Sequence, residues 1–134
     1  MDWAKFEIEL KNLSKKVDFV PDIIIGITRG GVIPARLLCT YLSVKEMYCI
    51  SVNKVGEERK VITTIDGNLV GKIILLVEDM LETGRSLIVA KKYLETKGAK
   101  VKTACLYIMS VSEIRPDYYL KESKKIENFP WESK

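Results

Sequence analysis

The sequence predicts one α/β domain, a mostly parallel sheet with flanking helices and a small C-terminal hood, and three observations carry that prediction. Short unbroken apolar runs occur at Ile23–Ile27, Ile73–Val77 and residues 103–108, and such runs suit strands covered on both faces, as parallel strands usually are. Helical periodicity follows the first two runs, which gives strand–helix–strand order. A chain of 134 residues, 47% of them hydrophobic, fits a single core, so one domain over residues 1–134 is expected.

Each element has its own signal. Trp3, Phe6, Leu10, Leu13 and Val17 recur at helical spacing with Lys and Glu between them, so the chain opens on an amphipathic helix that stops before Pro21. The first apolar run follows, then a helix over Val32–Leu42 and a further strand over residues 44–52. Residues 53–70 are largely polar, hold Gly56 and Gly67 and lack periodicity, which reads as a mobile loop or long hairpin with those glycines as hinges. The run at Ile73–Val77 leads into a helix over residues 86–97 closed by Gly98. From Arg115 onward the tail mixes aromatic and charged residues and is expected to cover the sheet's edge.

Composition excludes several kinds of chemistry. There is no histidine, which removes Ser/His/Asp and Cys/His machinery and the usual zinc sites. Cys39, Cys49 and Cys105 are odd in number and set far apart in apolar stretches, so all three are expected as reduced core residues. No long apolar run follows Met1-Asp2-Trp3-Ala4-Lys5, so a cytoplasmic protein with no membrane association is expected. The 22 Lys and Arg against 18 Asp and Glu give a net charge of +4 spread along the chain, which suits a small anionic ligand and argues against nucleic acid.

Two segments carry chemistry. In the first, the apolar strand Ile73–Val77 ends in Glu78 and Asp79, a short loop holds Glu82, Thr83 and Gly84, and a helix begins near Ser86. Ligands of open α/β sheets bind at the carboxyl ends of strands, and a helix N-terminus after a glycine turn directs N–H groups at a phosphate. Thr83 and Ser86 add hydroxyl donors. The ionised acidic pair only accepts hydrogen bonds, so it suits ribose hydroxyls and, through water, magnesium. In the second segment, Thr28-Arg29-Gly30-Gly31 lies between a strand and a helix and reads as an anion cradle without the spacing of a Walker loop or a dinucleotide fingerprint. The stretch Leu75-Leu76-Val77-Glu78-Asp79 also looks like the first strand of a response-regulator receiver. It sits mid-chain, however, and the only later Asp is Asp117, after a proline.

Four apolar residues, two acidic residues and a loop ending Thr83-Gly84 resemble the phosphoribosyl pyrophosphate signature of the type I phosphoribosyltransferases, and Arg29-Gly30-Gly31 resembles the pyrophosphate loop of their compact xanthine-guanine members. The resemblance implies that fold, phosphoribosyl pyrophosphate and a 6-oxopurine base as substrates, Mg2+ as cofactor, and a homodimer. It assigns Glu78 and Asp79 to the ribose hydroxyls, and Glu82, Thr83, Gly84, Arg85 and Ser86 to the loop around the 5′-phosphate. Thr28, Arg29, Gly30 and Gly31 would hold the leaving group, with Arg29 stabilising its charge. Glu82, which stands where those enzymes carry Asp, would face N7 of the base and move its proton. Phe129-Pro130-Trp131-Glu132 resembles their C-terminal segment, so Glu132 would assist a magnesium ion and an aromatic base-stacking position would fall at Ile126 or Phe129. The 53–70 segment would close over the site. Met109 or Ser110 stands where those enzymes carry the Lys that reads the 6-oxo group. That departure keeps a second reading open, a regulator that senses phosphoribosyl pyrophosphate and binds RNA or a protein partner.

Overall fold

The structure, a computed structural model, describes residues 1–132. The Asp2 side chain accepts the Lys5 N–H at 2.8 Å and caps helix α1 (Trp3–Lys16), whose stripe of Phe6, Leu10 and Leu13 is buried as its spacing predicts. There follow β1 (Ile23–Ile27), α2 (Val32–Leu42), β2 (Glu46–Ile50), β3 (Val52–Val55), β4 (Glu58–Val61), β5 (Ile73–Val77), β6 (Met80–Leu81), α3 (Arg85–Thr96), β7 (Lys100–Ala104), β8 (Tyr107–Met109) and β9 (Lys121–Ser123).

The central sheet is parallel throughout, in the order β2-β1-β5-β7. On one face Ile24, Leu75 and Val77 pack with Phe6, Leu10 and Leu13 of α1 and Ala35 and Leu38 of α2. On the other, Ile23, Ile25, Ile74 and Leu76 pack with Leu87, Ala90 and Leu94 of α3. Burial of both faces is the reason that β1 and β5 show no polar alternation. From β1 the chain runs through α2 to β2, and from β5 through α3 to β7 on the opposite side. The two paths diverge between β1 and β5, and a sheet of this kind opens its ligand crevice there, beyond the strands' carboxyl ends.

Three expectations change. The strand over residues 44–52 is broken at Ser51, whose N–H donates to Thr63 Oγ1 at 3.1 Å and whose carbonyl accepts from Ile62. The chain there leaves the central sheet for the β3–β4 hairpin, with Gly56 at φ +64° in its tight turn. The 53–70 segment is therefore hairpin first and irregular after, and Val52, Val61, Ile65 and Leu69 tie it to the α3 side of the core. The apolar run at 103–108 likewise belongs to two strands. β7 ends at Ala104, and β8 lies between β6 and β9 in a separate parallel sheet, the hood. The third change is Cys49, expected in the core but exposed, because β2 is an edge strand with little covering it; Cys39 and Cys105 are buried, and all three are free thiols.

The tail folds back across the hood to α1. Phe129 is buried, stacked on Tyr107 at 6.2 Å and on Trp131 at 5.0 Å, while Trp131 meets Phe6 edge-on at 4.8 Å. The buried Tyr107 donates its hydroxyl to Glu9 at 3.0 Å, and the N-terminal ammonium donates to the Asn128 carbonyl at 3.1 Å. No helix among the described residues is long and apolar enough to cross a membrane.

Candidate active site

The turn after β1 is fixed by backbone. Thr28 N–H donates to the Ile50 carbonyl at 2.8 Å and Gly31 N–H to the Ile27 carbonyl at 2.9 Å, while Thr28 and Ser51 share a hydroxyl hydrogen bond of 2.6 Å. The Thr28–Arg29 peptide is cis. A Cβ on Gly30 would fall on the Asp79 carboxylate, so the absence of a side chain is what lets this turn approach the end of β5. Arg29 is exposed, and its guanidinium makes no hydrogen bond or ion pair among the described residues.

The turn after β5 is held by side chains and by the hood. Glu78 N–H donates to the Ala104 carbonyl at 3.1 Å, and Leu106 N–H to the Asp79 carbonyl at 3.0 Å. Asp79 Oδ1 accepts the Met80 N–H at 2.6 Å. Gly84 stands before α3 in the left-handed region at φ +79°, and no side chain caps the helix. Of the first N–H groups of α3 only that of Arg85 meets a side chain, the Thr83 hydroxyl at 3.3 Å, so the helix start is otherwise uncapped, the condition for an anion site.

These two turns and the tail enclose a cavity of about 690 Å³ lined by Arg29, Gly30, Glu78, Asp79, Trp131 and Glu132, within the range of small-molecule sites. Five of the residues picked from sequence thus line one cavity. Glu82, Thr83, Gly84 and Ser86 form the adjoining loop and helix start, with Glu82 exposed. Arg85 points elsewhere: its guanidinium binds Glu113, and with Glu57, Arg59 and Ile88 it borders a second cleft. Ile126 is exposed and Phe129 lies inside the aromatic stack, so neither offers a free ring to a base. The aromatic wall of the cavity is instead Trp131, which sequence reasoning misses although its place directly before Glu132 is the signal that could have found it.

Burial, and then the neighbouring Asp79, push Glu78 up to about 8. Burial, against the pull of the Met80 N–H and together with the charge of Glu132, pushes Asp79 up to about 6. Arg29 is the one cation among the residues that line the cavity with these carboxylates. Hard oxygen donors that hold one another's pKa values up suit a divalent cation. Among the described residues no three His, Cys, Asp or Glu side chains converge on one metal position. Mg2+ usually binds through one or two carboxylates, water and substrate phosphates, and Glu78, Asp79 and Glu132 fit that mode.

Comparison with known proteins places this geometry. Residues 2–134 match the family model described as the phosphoribosyl transferase domain. The chain is 32% identical to the hypoxanthine-guanine phosphoribosyltransferase of Lactococcus lactis, covering 79% of this chain and 63% of that protein. It is 30% identical to the ribose-phosphate pyrophosphokinase of Pasteurella multocida, covering 66% of this chain and 28% of that protein. The chain thus spans less than two thirds of the length of these curated relatives. Among solved structures, the purine phosphoribosyltransferase from Pyrococcus horikoshii superposes with a TM-score of 0.92 at 33% identity, covering 99% of this chain and 92% of that one. The Helicobacter pylori xanthine-guanine-hypoxanthine phosphoribosyltransferase shares the fold, with a TM-score of 0.82 at 24% identity over 97% of this chain and 90% of that one. With a family model matched over residues 2–134, nearly its whole length, the chain belongs to the phosphoribosyl transferase domain family.

Proposed function

We propose that the chain transfers the 5-phosphoribosyl group from phosphoribosyl pyrophosphate to a 6-oxopurine base and releases pyrophosphate. The observation that carries this reading is the single cavity joining Arg29 and Gly30 to Glu78, Asp79 and Glu132 at the divergence of β1 and β5. In the reaction the bond from the anomeric carbon to the pyrophosphate oxygen breaks, a base nitrogen bonds to that carbon, and the base gives up a proton. Arg29 and the N–H groups of its turn stabilise the negative charge gathering on the leaving group. Glu78 and Asp79, in their ionised form, accept hydrogen bonds from the ribose hydroxyls. The start of α3 with Thr83 and Ser86 holds the 5′-phosphate, and Glu82 takes up the proton of the base. Mg2+, when bound, supplies positive charge to the pyrophosphate and the acidic side of the cavity.

The choice of a purine is supported by the likeness to the Pyrococcus horikoshii enzyme. Met109 and Ser110 at the end of β8, where no Lys stands, favour the second reading of a sensor. A screen of guanine, xanthine, hypoxanthine, adenine, uracil and orotate for pyrophosphate release separates the two. Turnover with one of the first three is expected; binding of phosphoribosyl pyrophosphate with no turnover of any base would transfer support to the sensor.

A further inference from the structure

We propose that Glu113 is a positioning residue for the 5′-phosphate loop, acting through Arg85 and Thr83; this rests on the phosphoribosyl-transfer reading above. Glu113 lies in the segment after β8, 28 residues beyond Arg85, yet it holds the loop from two sides. Its carboxylate accepts from Arg85 Nε at 3.2 Å and from Arg85 Nη2 at 3.3 Å. Its backbone N–H donates to the Thr83 carbonyl at 2.7 Å. Between those two contacts sits Gly84, where a Cβ would come within 2.6 Å of Ile114 Cγ2 and 2.8 Å of Ser112 Oγ. Ser112 Oγ in turn donates to the Ile114 carbonyl at 2.8 Å, so the segment that supports the loop is itself braced.

The electrostatics explain why an outside carboxylate is needed. Arg85 is the first residue of α3, and the first turn of that helix holds no acidic residue. A cation at a helix N-terminus opposes the helix dipole. Glu113 supplies the missing negative charge and orients the guanidinium in a two-pronged pair. The phosphate is then left to the backbone N–H groups of α3 and the hydroxyls of Thr83 and Ser86, and Arg85 serves the loop's shape.

The test is a binding cycle read by titration calorimetry with two probes, ribose 5-phosphate and inorganic pyrophosphate with Mg2+. The proteins are the parent, R85A, E113A, the double variant and the charge-swapped R85E/E113R. Both side chains are about half exposed, so the pair contributes modestly: each single variant should weaken ribose 5-phosphate by about three- to fivefold. The double variant should be no worse than the weaker single one, and the charge swap should recover most of the loss. Pyrophosphate affinity should change by less than about twofold throughout, which a general loss of fold would not allow. A loss of about thirtyfold or more in R85A and in the charge swap, with E113A unchanged or tighter, would make Arg85 a direct phosphate contact and overturn the proposal. Unchanged ribose 5-phosphate binding in E113A would overturn it as well. A parent that binds neither probe would instead sink the functional reading on which it rests.

Discussion

β1 reaches α2 through residues 28–31 and β5 reaches α3 through residues 78–84; the first turn packs chiefly through the missing side chains of Gly30 and Gly31, and the second is held chiefly by side-chain hydrogen bonds. At Gly31 a Cβ would collide with the Val77 carbonyl and stand 2.9 Å from the nitrogen and oxygen of Ile27. These are backbone atoms in the two central strands and cannot step aside. The second turn holds itself with Asp79 Oδ1 on the Met80 N–H and with Thr83 Oγ1 on the Arg85 N–H at 3.3 Å. Shape and chemistry are therefore nearly inseparable in the first turn and separable in the second. Substitutions of the glycines in the first should cost stability, whereas same-size substitutions in the second should cost function and not stability.

The largest effect is expected at Gly31→Ala, which drives a methyl group into the β1–β5 junction. Overpacking of this kind should destabilise the fold by about 3 kcal/mol, measured as a shift of the urea midpoint at constant slope. A loss below about 0.5 kcal/mol would show that the turn has slack, and the contrast between the turns would fail. Next is Arg29→Ala, which tests the one side chain of the first turn that is free to act on a ligand. Loss of a charged hydrogen-bond donor should weaken pyrophosphate by about tenfold or more and leave ribose 5-phosphate nearly unchanged. Equal losses for both ligands in calorimetry would contradict its assignment to the leaving group.

A smaller effect, and one of opposite sign, is expected at Glu78. Its folded-state pKa is raised to about 8 by burial and by Asp79, so the native chain keeps a proton that the unfolded chain releases in the ordinary carboxylate range. Glu78's contribution to the stability of the ligand-free protein should be fully present below that range and be lost as pH rises through about 8. Glu78→Gln removes the titration and should flatten this dependence. Water in the open cavity screens part of the cost, so at pH 8 the variant should gain about 2 kcal/mol while losing affinity for phosphoribosyl pyrophosphate. Parallel melting curves for parent and variant from pH 5 to pH 8 would show that the carboxyl carries no such strain.

The contrast between the turns also explains how much of the molecule is legible in its sequence. Thr28 to Gly31 and Glu78 to Ser86 are contiguous, and strand, turn and helix start are local signals, so both halves of the cavity can be read from the order of residues alone. Their meeting at Gly30 and Asp79 follows from the parallel order of β1 and β5, to which the apolar runs also point. The partners that complete the site are distant in sequence and leave weaker marks. Glu113 reaches the loop from the far side of β8, and Trp131 reaches the cavity only because Phe6, Phe129 and Tyr107 hold the tail in place. The breaks at Ser51 and after Ala104 are hidden for a different reason. Hydrophobic pattern reports burial, and residues 103–108 stay buried while the chain passes from one sheet to another.

Glu82 gives the smallest expected effect on the fold and the sharpest separation of chemistry from shape. It follows β6 in the second turn, is exposed, and makes no hydrogen bond or ion pair among the described residues, so no part of the fold depends on its carboxylate. Glu82→Gln preserves its size and the N–H groups of the loop, and affinity for phosphoribosyl pyrophosphate should stay within about twofold of the parent. If the carboxylate takes up the proton of the base, turnover should fall by about tenfold or more, at the low end of general-base effects because an exposed group competes with water for that proton. The loss should appear in kcat with KM for the activated sugar unchanged, since the interaction is made in the transition state and not in the complex. Steady-state rates on each accepted base, set beside calorimetry on the same preparations, provide the measurement. Parent-like kcat on every base would leave Glu82 as a loop residue, and the second turn would then contribute its acidic pair and phosphate cradle without a proton acceptor.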